Sequence, residues 1–237
     1  MAQKKLQRFA DIKNFPNVLE YPQHMSGTWH QFFGNAGPVV LELACGRGEY
    51  TVALSKMFPC TNFVGVDVKG NRIYIGAKKC LDEKLANAAF LRTQITMLPD
   101  YFHPGEVHEI WITFPDPHLR TSKAKKRLTH PRFLRLYQQV LAADGFIHLK
   151  TDSPQLYEFT KNVIDFYHLP LVEDFEDVYG TNPSELLQIK THYEALNIAG
   201  TNKIHYLKFQ LPDLLPDRDE EFYSILKETE THSSRVK

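Results

Sequence analysis

The segment that most constrains this chain runs from residue 39 to residue 48. Val39, Val40, Leu41, Glu42 and Leu43 form a short, almost uninterrupted apolar run, and Ala44-Cys45-Gly46-Arg47-Gly48 follows directly. An apolar run of this length fits a strand covered on both faces of a parallel sheet. The Gly-x-Gly turn then leads into a helical pattern over 49–57. Strand, turn and helix N-terminus make a binding corner: backbone N–H groups face outward, and glycine has no Cβ to hold a ligand away. Gly46 and Gly48 are therefore expected to line a cofactor.

The alternation continues downstream. Residues 62–67, 88–92 and 109–113 read as strands, and 71–83 as a helix. Pro131 suits the first turn of a helix running to 141, with Phe133, Leu134, Tyr137, Val140 and Leu141 on one face. Asp144-Gly145 reads as a turn into a strand over 146–151. Ser153 is placed to cap a helix that begins at Pro154 and buries Leu156, Phe159, Val163 and Phe166. Two last strands, near 171–177 and 204–210, have no helical pattern between them, which predicts an antiparallel hairpin. The expected class is α/β, a doubly wound Rossmann-like sheet, mostly parallel, ending in that hairpin. Residues 1–36 read as an irregular segment packed on the body by its aromatics, 37–211 as the main domain, and 212–237 as an acid-rich, solvated tail.

Totals narrow the partners. In a chain of 237 residues, 28 basic side chains balance 28 acidic ones, so nucleic-acid binding has to come from a local patch. Cys45, Cys60 and Cys80 are an odd number without a C-x-x-C pair, which argues against a disulfide framework or a zinc site and for a reducing cytoplasm. The histidines show no metal-ligand spacing, so no metal is expected. No apolar run reaches the ~18–20 residues of a membrane span, and the first residues lack a signal-peptide core.

Acidic residues refine the cofactor. A carboxylate at Glu42, inside the first strand, suits a ligand with a cationic group more than a pyrophosphate, which favours S-adenosylmethionine over NAD. Asp67 ends the second strand at the distance from Gly48 where an acid binds ribose hydroxyls. Thr51 occupies the third-glycine position of a dinucleotide fingerprint, which speaks against a dehydrogenase.

Substrate chemistry points to another loop. Thr113-Phe114-Pro115-Asp116-Pro117-His118 follows a central strand, where open α/β sheets place their sites. Two prolines restrict the backbone around Asp116. Arg120, Lys123, Lys125, Lys126 and Arg127 then put five cations within eight residues, with no acid among them. Beside a cofactor cleft, such a cluster suits a phosphate backbone more than a small molecule.

Four motifs in order carry a resemblance: Glu-Leu-Ala-Cys-Gly-Arg-Gly at 42–48, Phe-Pro-Asp-Pro-His with the Lys/Arg run, Lys150-Thr151-Asp152, and Thr191-His192-Tyr193-Glu194. Over roughly 39–210 the chain resembles the bacterial tRNA (guanine-N7-)-methyltransferase family, which uses S-adenosylmethionine to methylate the variable-loop guanine of tRNA. The resemblance implies the class I methyltransferase fold and tRNA as partner; the sequence leaves monomer and homodimer open. It implies that Glu42, Asp67 and Gln94 bind the cofactor, and that Asp116 serves cofactor and catalysis. It implies that Arg120, Asp152 and residues 191–194, with Thr191, Tyr193 and Glu194, bind substrate. The chain departs from the family at Ala44 (often Gly), Asp67 (often Glu), Gln94 (often an acid or Asn), His118 (often Trp) and Lys123 (often His).

Overall fold

The computed structural model describes residues 2–196, 200 and 202–226. The strands are β1 (Val18–Glu20), β2 (Val39–Leu43), β3 (Asn62–Asp67), β4 (Ala88–Arg92), β5 (Val107–Thr113), β6 (Leu141–Thr151), β7 (Leu171–Phe175) and β8 (His205–Phe209). The α-helices are α1 (Ala2–Asp11), α2 (Trp29–Phe33), α3 (Glu49–Met57), α4 (Gly70–Asp82), α5 (Leu98–Tyr101), α6 (Pro131–Gln138), α7 (Pro154–Tyr167), α8 (Glu185–Gln188) and α9 (His192–Leu196). A further helical stretch occupies 219–226.

All eight strands form one sheet in the order β1-β4-β3-β2-β5-β6-β8-β7. Every neighbouring pair is parallel except the two made by β8. Helices cover both faces of the central strands, so β2 and β3 are buried at every residue, as their apolar sequences require. Alternation sorts the side chains. Leu41, Leu43, Val64, Ile110 and Leu149 join one core, while Val40, Phe63, Trp111 and Tyr206 join a second with Tyr50 and Leu54 of α3. Strand order reverses between β2 and β5, and the crevice outside their carboxyl ends is where an α/β sheet opens to a ligand. No helix among the described residues is long and apolar enough to cross a membrane.

Four expectations are corrected. The leader is not irregular. It contributes α1, α2 and an edge strand, and β1 pairs Val18 with Phe90 and Glu20 with Arg92. A three-residue strand between Pro16 and Pro22 is too short to show a period, and only β4 reveals it. Trp29 stacks on Phe102 with centroids 5.0 Å apart and donates Nε1–H to the Tyr101 carbonyl at 2.8 Å.

α6 ends at Gln138 and β6 starts at Leu141, so Asp144 and Gly145 lie within the strand. The extra residues are absorbed as an irregularity: Val107 pairs with Leu141, yet Glu109 pairs with Phe146.

β7 and β8 pair antiparallel as expected, but the expectation of no helix between them is corrected. β8 inserts between β6 and β7, and the connection carries α8 and α9.

The described part of the tail, 212–226, is docked, not solvated. Leu215 and Phe222 are buried, Phe222 packs against Phe159 and Phe166, and Arg135 grips Asp219 with Nη1 at 3.0 Å and Nη2 at 2.7 Å. Glu228 and Glu230 lie outside the described residues.

Candidate active site

The glycine turn is braced by the end of the neighbouring strand. Asp67 Oδ2 accepts from the Gly46 N–H at 2.9 Å, and Oδ1 accepts from the Lys69 N–H at 2.8 Å. Cys45 N–H donates to the Val66 carbonyl at 3.1 Å, and Thr93 N–H to the Asp67 carbonyl at 3.2 Å. The turn is sharp: Ala44, Gly46 and Gly48 have φ of 53°, 57° and 68°. The two glycines differ in surroundings. A Cβ on Gly46 would meet the Tyr193 ring at 3.4 Å, so that ring lies over the face of the turn. A Cβ on Gly48 would stand 2.4 Å from Phe90, so packing too requires glycine there. A carboxylate has about four lone-pair sites. The two backbone donors leave Asp67 the capacity to accept ribose hydroxyls. These features fit a nucleoside cofactor at Gly46 and Asp67, and Gln94, exposed just beyond β4, stands at the same sheet edge.

Glu42 does not present a free carboxylate. Its Oε2 accepts from the Thr51 N–H at 2.8 Å and the Thr51 hydroxyl at 2.6 Å, and Oε1 accepts from the Thr113 hydroxyl at 3.2 Å. Burial pushes its pKa from 4.5 up to about 7, against the lowering pull of the Thr51 bonds. Glu42 thereby ties β2 to the first turn of α3 and to the end of β5. Both Glu42 and Thr51 stand out in the sequence as separate clues; the fold makes them partners.

Beyond β5, Phe114 and His118 both have left-handed backbones, with φ of 47° and 44°, bracketing the two prolines. Non-glycine residues adopt this region only when the surroundings impose it. Asp116 lies exposed at the tip, and its Oδ1 accepts from the His118 N–H at 3.1 Å. A 3-10 helix, Thr121–Lys126, carries Lys123, Lys125 and Lys126 outward, with Arg120 exposed just before it. Arg127 is different. It is buried, its Nε–H donates to the Pro117 carbonyl at 3.1 Å and Nη2–H to the His118 carbonyl at 3.1 Å, and its guanidinium lies 4.4 Å from the Phe159 ring centroid. The expectation that Arg127 holds substrate phosphate is corrected: it holds the Asp116 loop.

Asp152 stands at the carboxyl end of β6 and does not cap α7; the Ser153 hydroxyl does, accepting from the Leu156 N–H at 3.2 Å. Residues 191–194 come back over the glycine turn. His192 N–H donates to Glu49 at 3.3 Å, and Tyr193 lies beside Gly46 with the Arg72 guanidinium 5.4 Å from its ring centroid. Glu194 turns inward, accepting from the Tyr179 hydroxyl and pairing with Lys150 Nζ at 3.0 Å. Burial draws the Lys150 pKa down, and Glu194 opposes it. Lys150 carries no role in the sequence reading. A lysine closing an apolar strand, Phe146-Ile147-His148-Leu149, was the available signal.

The fold is similar to that of crystal structures of 16S rRNA methyltransferase KamB (TM-score 0.60, 16% identity, covering 83% of this chain and 99% of that one) and of the 16S rRNA (adenine(1408)-N(1))-methyltransferase from Catenulisporales acidiphilia (0.55, 14%, 78% and 92%). The likeness shows a shared fold, the α/β fold of these methyltransferases. A family model described as a putative methyltransferase matches residues 36–207. The tRNA (guanine-N(7)-)-methyltransferase of Bacteroides thetaiotaomicron is 46% identical, covering 90% of this chain and 87% of that protein. That of Porphyromonas gingivalis is 49% identical, covering 84% and 86%. The chain belongs to the tRNA (guanine-N(7)-)-methyltransferase family.

Proposed function

We propose that this protein transfers a methyl group from S-adenosylmethionine to N7 of the variable-loop guanine in tRNA. The observation that carries the reading is one of placement. The acid-braced turn at Gly46 and Asp67, the exposed Asp116 and the cations from Arg120 to Lys126 all stand at the carboxyl edge of one sheet.

When bound, S-adenosylmethionine supplies an electrophilic methyl on a sulfonium. Asp67 accepts from the ribose hydroxyls, Gln94 lies toward the base, and Gly46 lets the ligand approach the backbone. Glu42 acts one step back, fixing the geometry of the turn through Thr51 and Thr113. Guanine N7 carries a free lone pair in the neutral base, so no side chain has to remove a proton before attack. The methylated base is cationic, and the carboxylates of Asp116 and Asp152 stabilise the charge as it develops. Orientation supplies much of the remaining rate. Arg120, Lys123, Lys125 and Lys126 hold backbone phosphates. Thr191 and Tyr193 complete the wall between the two ligands. The base leaves its tertiary contacts to reach the cleft, as in other enzymes that act on an extruded base.

The test is transfer of labelled methyl from S-adenosylmethionine to unmodified tRNA, followed by nucleoside analysis. 7-Methylguanosine in the variable loop is the expected product. Label in any other nucleoside, or none, overturns the assignment.

A further inference from the structure

Lys150 is fully buried at the end of β6, and its ammonium has three donors. All three are used by one distant segment: the Leu187 carbonyl at 2.8 Å, the Ile189 carbonyl at 2.9 Å and Glu194 Oε2 at 3.0 Å. Three aromatic rings surround it, with Nζ 5.6 Å from the centroids of Tyr50 and Tyr179 and 5.7 Å from that of Phe114. Its own carbonyl accepts from the Phe114 N–H at 2.8 Å. One residue therefore touches α3, the start of the Asp116 loop and the chain from 187 to 194.

Hydrophobic packing anchors the start of that chain, where Leu187 is buried and Ile189 packs on the same cluster, but not the part over the glycine turn. α9 has no buried residue, and Tyr193 is only partly covered. What fixes it from below is the Lys150–Glu194 pair, where Glu194 is also bound by the Tyr179 hydroxyl. From the side, Glu49, the first residue of α3, accepts from the His192 N–H. Tyr193, between these two anchors, is thereby set beside Gly46. A buried ion pair of this kind is weak evidence for stability but well suited to fixing one conformation.

We infer that Lys150 is a positioning residue that clamps residues 187–194 to the sheet and so holds Tyr193 as a cover on the cofactor turn. Glu194, on this view, belongs to the clamp and does not reach out to substrate. The inference rests on the proposed cofactor site.

The experiment compares S-adenosylhomocysteine binding by calorimetry for the wild type, Lys150→Met, Tyr193→Ala and the double variant. Each single variant weakens binding by about tenfold, corresponding to loss of one well-placed contact. The double variant is no weaker than about twofold below the worse single, because Lys150 acts through Tyr193. In turnover assays Lys150→Met raises KM for S-adenosylmethionine more than it lowers kcat, a split that general destabilisation does not give. A folded Lys150→Met protein that binds within twofold of wild type, or single effects that multiply, overturns the inference. If Lys150→Met does not fold, Glu194→Gln takes its place: weakened binding supports the clamp, and full affinity overturns it. Failure of the wild type to bind at all overturns the cofactor reading itself, a distinguishable result.

Discussion

Asp67 and Gly46, twenty-one residues apart, are joined by a 2.9 Å hydrogen bond from backbone N–H to carboxylate. The acid that ends one strand thus shapes the turn that ends its neighbour. Asp67→Ala leaves the buried Gly46 N–H and the Lys69 N–H without their acceptor, at a cost of about 1–3 kcal/mol. S-adenosylhomocysteine affinity should fall at least about tenfold. Calorimetry alongside thermal unfolding checks both effects, and unchanged affinity would remove Asp67 from the site.

Glu42 makes stability depend on pH. Its pKa is near 7 in the folded protein against 4.5 ordinarily, because burial disfavours the charged form. A raised folded pKa means the favourable contribution is complete below about pH 4.5 and is lost as pH climbs through 7. Wild-type stability should therefore decline between pH 5 and pH 8, by at most about 3 kcal/mol from this group. Glu42→Gln removes that component at every pH, while the Gln oxygen can still accept from Thr51. Melting temperatures of both proteins across this range test it: parallel curves refute the assignment.

Arg127 and its neighbouring lysines should separate cleanly. Lys125→Ala with Lys126→Ala weakens tRNA binding and flattens its salt dependence, lowering the log–log slope by about one to two. Arg127→Ala costs about 1–3 kcal/mol of stability, because the Pro117 and His118 carbonyls lose a charged donor. Its activity loss should come through the Asp116 loop, with the salt slope close to wild type. Filter binding across a salt series reads the difference; a slope reduced by Arg127→Ala would return that residue to the phosphate contacts.

Within the C-terminal stretch, residues 215–226 are part of the fold. Phe222 is buried against Phe159, Phe166 and Tyr167. Phe222→Ala should cost about 3 kcal/mol, a fall in Tm of roughly 6–12 °C. Next to it, the Tyr223 hydroxyl meets His130 Nε2 at 2.7 Å and the ring lies 5.4 Å from Lys125 Nζ. Tyr223→Ala should consequently weaken tRNA binding more than Tyr223→Phe, which keeps the ring under Lys125. Equal effects would show that the ring contributes nothing to the basic segment.

The sequence by itself determined the strand–turn–helix order, the glycine turn and the basic segment. Local chemistry is enough for these: apolar runs at strand length, glycines where the backbone turns left-handed, and cations without neighbouring acids. Asp67 stood out because it ends β3, and Asp116 because its loop follows β5; strand ends define the edge of a parallel sheet. Only the tertiary structure decided which of two similar residues does which task. Gly46 lies under the Tyr193 ring while Gly48 packs on Phe90, and Lys125 is exposed while Arg127 is buried. Nothing in the spacing distinguishes them, because burial depends on chain segments far away. The same holds for β1, which exists only because β4 offers it an edge, for the docked tail, and for Lys150, whose acceptors lie 37–44 residues downstream. Periodicity reports what a segment can do alone, and long-range contacts settle what it does in company.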